Sequence, residues 1–136
     1  MVLSQQIPDG VEKAGGGWEY HWGAQTFQEL LDGSPHWQSL EFPSNPPERN
    51  KQEFLWLRWD IPELDAPHPA LFIHSIDTSA KFYSKNGLVY SWNSWSGSEG
   101  SSFKGWPWHL IRFDRELLGE TLYVAVHSEY RDIGLW

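Results

Sequence analysis

Aromatic and polar residues alternate over Trp18-Glu19-Tyr20-His21-Trp22, and period two places Trp18, Tyr20 and Trp22 on one face of a half-buried strand. In Phe54 to Ile61, Leu55, Leu57, Trp59 and Ile61 share a face, with Phe54, Trp56 and Arg58 opposite. Both faces are thus partly covered, as where loops or a helix overlie a sandwich sheet. Leu71 to Asp77 alternates similarly, and both runs are bounded by proline. Lys81 to Tyr90 reads as a hairpin, because Asn86-Gly87 accepts the positive φ of a tight primed turn. Two closing strands are expected around Trp108 to Phe113 and Thr121 to Ser128, joined by a turn or short helix over 114–119. The pattern turns helical only in Gln25 to Leu31, where Phe27, Leu30 and Leu31 fall at offsets of three and four and Gly33 follows as a stop. About seven short strands with one or two short helices predict an all-β, antiparallel β-sandwich.

The intervening segments read as loops. Pro35 to Asn50 is rich in Pro, Ser and Asn, whose locked φ and missing donors disfavour helix, and is expected to be a long ordered loop. Residues 91–105 form a Ser- and Gly-rich loop carrying Trp92, Trp95 and Phe103. Residues 1–17, ending in Ala14-Gly15-Gly16-Gly17, read as a flexible leader or linker, which leaves 18–136 as one sandwich domain.

Composition narrows the function classes. Ten Trp, seven Phe and five Tyr in 136 residues make aromatic rings the main burial currency. A formal net charge of −8 with no run of Lys or Arg argues against nucleic acid or an anionic membrane surface as partner. The absence of Cys removes disulfides and thiolate metal sites. Apolar stretches such as Leu122 to Val126 fall far short of the roughly 18–20 residues of a membrane helix, and Met1 to Pro8 lacks the basic and apolar regions of a signal peptide. An export signal or membrane anchor would therefore lie outside this chain.

The order of these elements resembles the galactose-binding-like jelly roll of sugar-binding domains. The shared points are the Trp-rich first strand, Leu57-Arg58-Trp59-Asp60-Ile61-Pro62, Leu71-Phe72-Ile73-His74-Ser75-Ile76-Asp77 and the Asn86-Gly87 hairpin. A closer resemblance is to the extracytoplasmic sensor domains of bacterial transmembrane diguanylate cyclases and related membrane receptors. It rests on Trp18-Glu19-Tyr20-His21-Trp22, Asn45-Pro46-Pro47-Glu48-Arg49-Asn50, Gly105-Trp106-Pro107-Trp108-His109-Leu110-Ile111 and Ser128-Glu129-Tyr130-Arg131-Asp132-Ile133-Gly134, and it spans residues 17–136. The resemblance implies a ligand-sensing domain on the periplasmic or extracellular side of the inner membrane. Its partners would be a small-molecule ligand, such as a saccharide, and the membrane helices and GGDEF domain of the same protein. No GGDEF signature occurs here, so the cyclase chemistry lies outside this chain.

Candidate site residues are read with their commoner alternatives. Trp92, Trp95, Trp106 and Trp108 could offer indole faces to a sugar ring, or simply cap the end of the sandwich. Arg58 and Arg131 are candidates for planar, bidentate ligand capture; the commoner reading of such arginines, with Glu48 and Arg49, is an internal tie that fixes the Pro-rich loop. Arg58 also lies beside Trp56, where a guanidinium stacks on an indole. His74, His109 and His127 match no compact ligand spacing, so no metal site or cofactor is expected, although structural calcium stays open because loop carbonyls leave no sequence trace. Asp77, Glu99, Glu129 and Asp132 sit near strand ends, where carboxylates are usually solvated, and no enzyme activity is expected of this segment. The competing readings are a carbohydrate-binding module of a secreted glycosidase and a structural homodimerisation domain built on exposed aromatics.

Overall fold

The computed structural model describes residues 16–42, 44–63, 68–73, 79–92 and 109–129. The leader over 1–15, and the later parts of the predicted strand Leu71 to Asp77 and of the serine-rich loop, lie outside them. The described residues contain eight strands, β1 (Trp18–Trp22), β2 (Gln38–Leu40), β3 (Phe54–Asp60), β4 (Ala70–Ile73), β5 (Ser79–Ser84), β6 (Gly87–Trp92), β7 (His109–Arg112) and β8 (Thr121–His127), with helix α1 (Phe27–Asp32) and a 3-10 turn at Arg115–Leu117.

All strand pairs are antiparallel, in a six-stranded sheet of order β2-β1-β3-β8-β5-β6 and a two-stranded sheet of β4 and β7. Pairing of β3 with β8 nests around pairing of β4 with β7, the wrap of a jelly roll. The architecture is the predicted all-β antiparallel sandwich.

Side-chain period two explains the layers. Trp18 and Tyr20 of β1, Leu55, Leu57 and Trp59 of β3, and Leu122, Val124 and Val126 of β8 turn inward to Leu71, Ile73, Ile111 and Phe113. Trp18 is clamped between Phe42, at 4.4 Å, and Trp59, at 5.1 Å between ring centroids. The opposite face of the large sheet has its own apolar cluster of Leu30, Trp56 and Ala125, with Phe27, Trp37, Tyr83 and Tyr123 packed around it. The sequence expectation that Trp56 faces away from Leu55 and Leu57 is met, and α1 is the cover.

Helix α1 begins with a capping box: Glu29 N–H donates to Thr26 Oγ1 and Thr26 N–H to Glu29 Oε1. Leu30 is buried and Phe27 stacks on Tyr83 at 4.6 Å, whereas Leu31 remains 40% exposed.

Two local expectations are revised. The Pro-rich segment contains β2, a three-residue strand held by pairing with β1 rather than by any alternation of its own. In the hairpin, Ser84 pairs with Gly87, so the two loop residues are Lys85 and Asn86, and the positive φ falls on Gly87 at 121°. This is a turn followed by a left-handed glycine rather than a primed Asn-Gly turn, and the register shifts at Phe82/Tyr83.

Described residues at the end of the Pro-rich loop are tied to the sheet by side-chain contacts. Arg49 donates through Nε to the Gln52 carbonyl at 2.6 Å and through a terminal nitrogen to the Ser128 carbonyl at 2.8 Å, and its guanidinium lies 5.9 Å from the Trp22 ring. Trp22 Nε1 donates to the Pro47 carbonyl at 2.8 Å. Glu48, Asn50 and Lys51 take left-handed φ values of 61°, 48° and 64°, unusual for side chains with a Cβ. No helix among the described residues is long and apolar enough to cross a membrane.

Candidate ligand-binding site

Antiparallel pairing sets Glu19 opposite Arg58 and Arg58 opposite Tyr123, so these three side chains form one row across the outer face of β1, β3 and β8. Arg58 Nε donates to Glu19 Oε1 at 2.8 Å, with the two side chains 33% and 37% exposed. The Arg58 guanidinium carbon lies 4.5 Å from the ring centroid of Trp37, within cation–π range. The predicted partner, Trp56, instead donates its indole N–H to the Gln25 carbonyl at 3.1 Å and packs beneath α1. Trp37 is placed by the turn that leaves α1 and enters β2, and it also meets Tyr123 at 6.4 Å and His21 at 5.9 Å.

Between the end of α1 and this row opens a hollow of about 220 Å³, lined by Leu30, Leu31, Pro35, Trp37, Arg58 and Tyr123 among others. It combines two half-buried rings, aliphatic walls and an arginine whose charge is already balanced by Glu19. Such a surface brings aromatic and aliphatic side chains together with the hydrogen-bonding groups of one arginine. A wider hollow of about 470 Å³ beside the β1–β2 edge is bordered by Gly17, Glu19, Ser39 and Glu41. Trp18 borders it too, but it is only 1% exposed and stacks on Phe42 and Trp59, so it presents no platform there.

Burial raises the phenol pKa of Tyr83, which lies under Phe27, and that of Tyr90 on the inner face. Tyr20 is raised by burial first and by the Glu48 carboxylate second, and its hydroxyl donates to Gln38 Oε1 at 2.7 Å.

Of the candidates read from sequence, Arg58 lies in the hollow. Trp92 ends β6 opposite Ala80, a residue of the inner core, and therefore belongs to the other face of the sheet. Arg58 and Trp92 do not share a site. Trp95, Trp106, Trp108 and Arg131 lie outside the described residues, as do His74, Asp77, Glu99 and Asp132. Trp37, Tyr123 and Glu19 were not among the sequence candidates. Alternation alone marks Tyr123 as outward, between inward Leu122 and Val124, but nothing local foretells that Trp37 folds back over β3.

At the far end of the β3–β8 pair, His127 Nε2 lies 3.2 Å from Glu53 Oε1. One donor atom each of Glu53, His127 and Glu129 falls within 4.8 Å of the others, the residues here best able to hold a metal ion.

Comparison of the chain with protein-family models, curated proteins and solved structures finds no match.

Proposed function

We propose that this domain is the ligand-sensing module of a bacterial membrane signalling protein, a diguanylate cyclase by its sequence resemblance, working on the extracytoplasmic side, and that it recognises a neutral saccharide ring. The observation that carries the reading is Arg58 set beside Trp37 and Tyr123 in one hollow, with its guanidinium paired to Glu19 at the hollow's edge on β1. Sugar rings present apolar C–H faces to aromatic side chains, while a guanidinium–carboxylate pair supplies both donors and acceptors to hydroxyls. The net-neutral pair favours an uncharged ligand over an anion. The chain contributes binding and no chemistry of its own. A sensor acts through differential affinity, so the bound sugar would bias the arrangement of membrane helices joined to the domain.

The test is a thermal-shift panel of neutral mono- and disaccharides, with galactose, glucose and mannose included. A sugar at 100 times its dissociation constant stabilises the fold by about 2.7 kcal/mol. The gain should vanish in Arg58→Gln. A panel in which no sugar raises Tm, or in which Arg58→Gln responds like the parent, refutes the saccharide reading.

A further inference from the structure

We propose that Glu53, His127 and Glu129 form a binding site for one divalent transition ion of the zinc type, separate from the hollow at Arg58. The fold converges these residues. Phe54 pairs with His127, so Glu53, just before β3, meets Ser128 and Glu129, just after β8. Ser128 N–H donates to the Glu53 carbonyl at 2.9 Å, and Arg49 donates to the Ser128 carbonyl at 2.8 Å, fixing the backbone on which two of the ligands stand. The imidazole is preset, because His127 is only 5% exposed and Phe54 stacks on it at 4.3 Å.

The spacing suits a shared ion. Bonds of about 2.0–2.1 Å in a tetrahedral site put ligand atoms about 3.3 Å apart. His127 Nε2 and Glu53 Oε1 stand at 3.2 Å, and one donor atom from each of Glu53, His127 and Glu129 lies within 4.8 Å of the others. Glu129 is exposed, so rotation of its side chain can close that remaining gap. An imidazole with two carboxylates suits a borderline ion better than calcium or magnesium, which prefer all-oxygen sets. Two carboxylate charges balance the ion, on a chain whose formal charge of −8 attracts cations.

A second observation points the same way. Ser79 pairs directly with His127 across β5 and β8, so their side chains project from the same face. Ser79 is fully buried, and its hydroxyl has no hydrogen-bond partner among the described residues. Buried hydroxyls are rarely left so. Three protein ligands leave a fourth position for water, and Ser79, the β5 neighbour of His127, brings a buried polar group to the same end of the sheet.

The full chain, stripped with chelator, should bind one equivalent of zinc by titration calorimetry, and zinc should shift the ring nitrogen resonances of His127. Losing a ligand should cost at least the about 10–100-fold that loss of an outer-shell partner costs. Glu129→Gln, at an exposed position, should therefore weaken zinc by tenfold or more while leaving the Tm of the metal-free protein unchanged, and Glu53→Gln provides the parallel variant. The proposal is overturned if the stripped chain takes up no zinc, if both variants bind it as tightly as the parent, or if the His127 ring resonances stay in place as zinc is added.

Discussion

Arg58→Ala separates a binding role for this arginine from a structural one. In the fold its guanidinium makes one ion pair, with Glu19 at 2.8 Å, and one cation–π contact, with Trp37 at 4.5 Å. Both charged side chains are about a third exposed, so solvent screens the pair and its contribution is that of a surface salt bridge, about 0.2–1 kcal/mol. The ring contact adds about 0.5–1 kcal/mol, and the aliphatic stem a little more. The expected total loss is about 1–2 kcal/mol, equivalent to about 3–10 °C in Tm for a chain of this size. Urea unfolding of the parent, Arg58→Ala, Glu19→Ala and the double variant supplies a cycle whose coupling should be below about 1 kcal/mol. Sugar affinity should fall at least tenfold over the same substitution. A stability loss above about 3 kcal/mol, with sugar affinity intact, would make Arg58 a fold-holding residue and refute the reasoning.

Leu30→Ala should cost about 2–4 kcal/mol in urea unfolding, since Leu30 is the one buried side chain of α1, and it should weaken sugar binding by loosening the wall of the hollow. Alkaline stability follows from the tyrosines. Tyr20, Tyr83 and Tyr90 hold their protons above the ordinary value of 10.0, so the unfolded chain releases protons first. Their contribution is complete below about pH 10 and is lost as pH rises through the folded values; Tyr20→Phe should flatten that decline in pH-dependent unfolding. Lys51→Gly, at a φ of 64°, should raise stability by up to about 1 kcal/mol by relieving the left-handed backbone, whereas Gly119→Ala, at a φ of 81°, should lower it by a similar amount.

The layers of the sandwich were legible wherever a strand carries its own alternation. Trp18, Tyr20 and Trp22, and Leu55, Leu57, Trp59 and Ile61, declare their inward face because pleating permits only two directions. The outward Trp56 and Arg58 equally announced a covered second face. What could not be read depends on partners distant in sequence. β2 exists because β1 supplies its hydrogen bonds, with Leu40 set against Trp18. Arg58 stood out as a mid-strand cation among aromatics, but its ring partner Trp37 arrives through the return from α1, and Tyr123 through the β3–β8 pairing. That Arg58 and Trp92 occupy opposite faces was hidden too, because the face of Trp92 follows from its pairing with Ala80. The convergence of Glu53 with His127 was equally hidden, since the two residues are 74 positions apart.

The most direct measurement is a titration of the full chain with the best sugar of the panel, followed through the assigned indole N–H resonances of its tryptophans. If the saccharide sits between α1 and the outer face of the sheet, the Trp37 resonance moves with sugar concentration, and those of Trp18 and Trp59, stacked in the inner core, hold still. Movement confined to Trp92, Trp95, Trp106 or Trp108, with Trp37 unchanged, would place the ligand elsewhere and contradict the account.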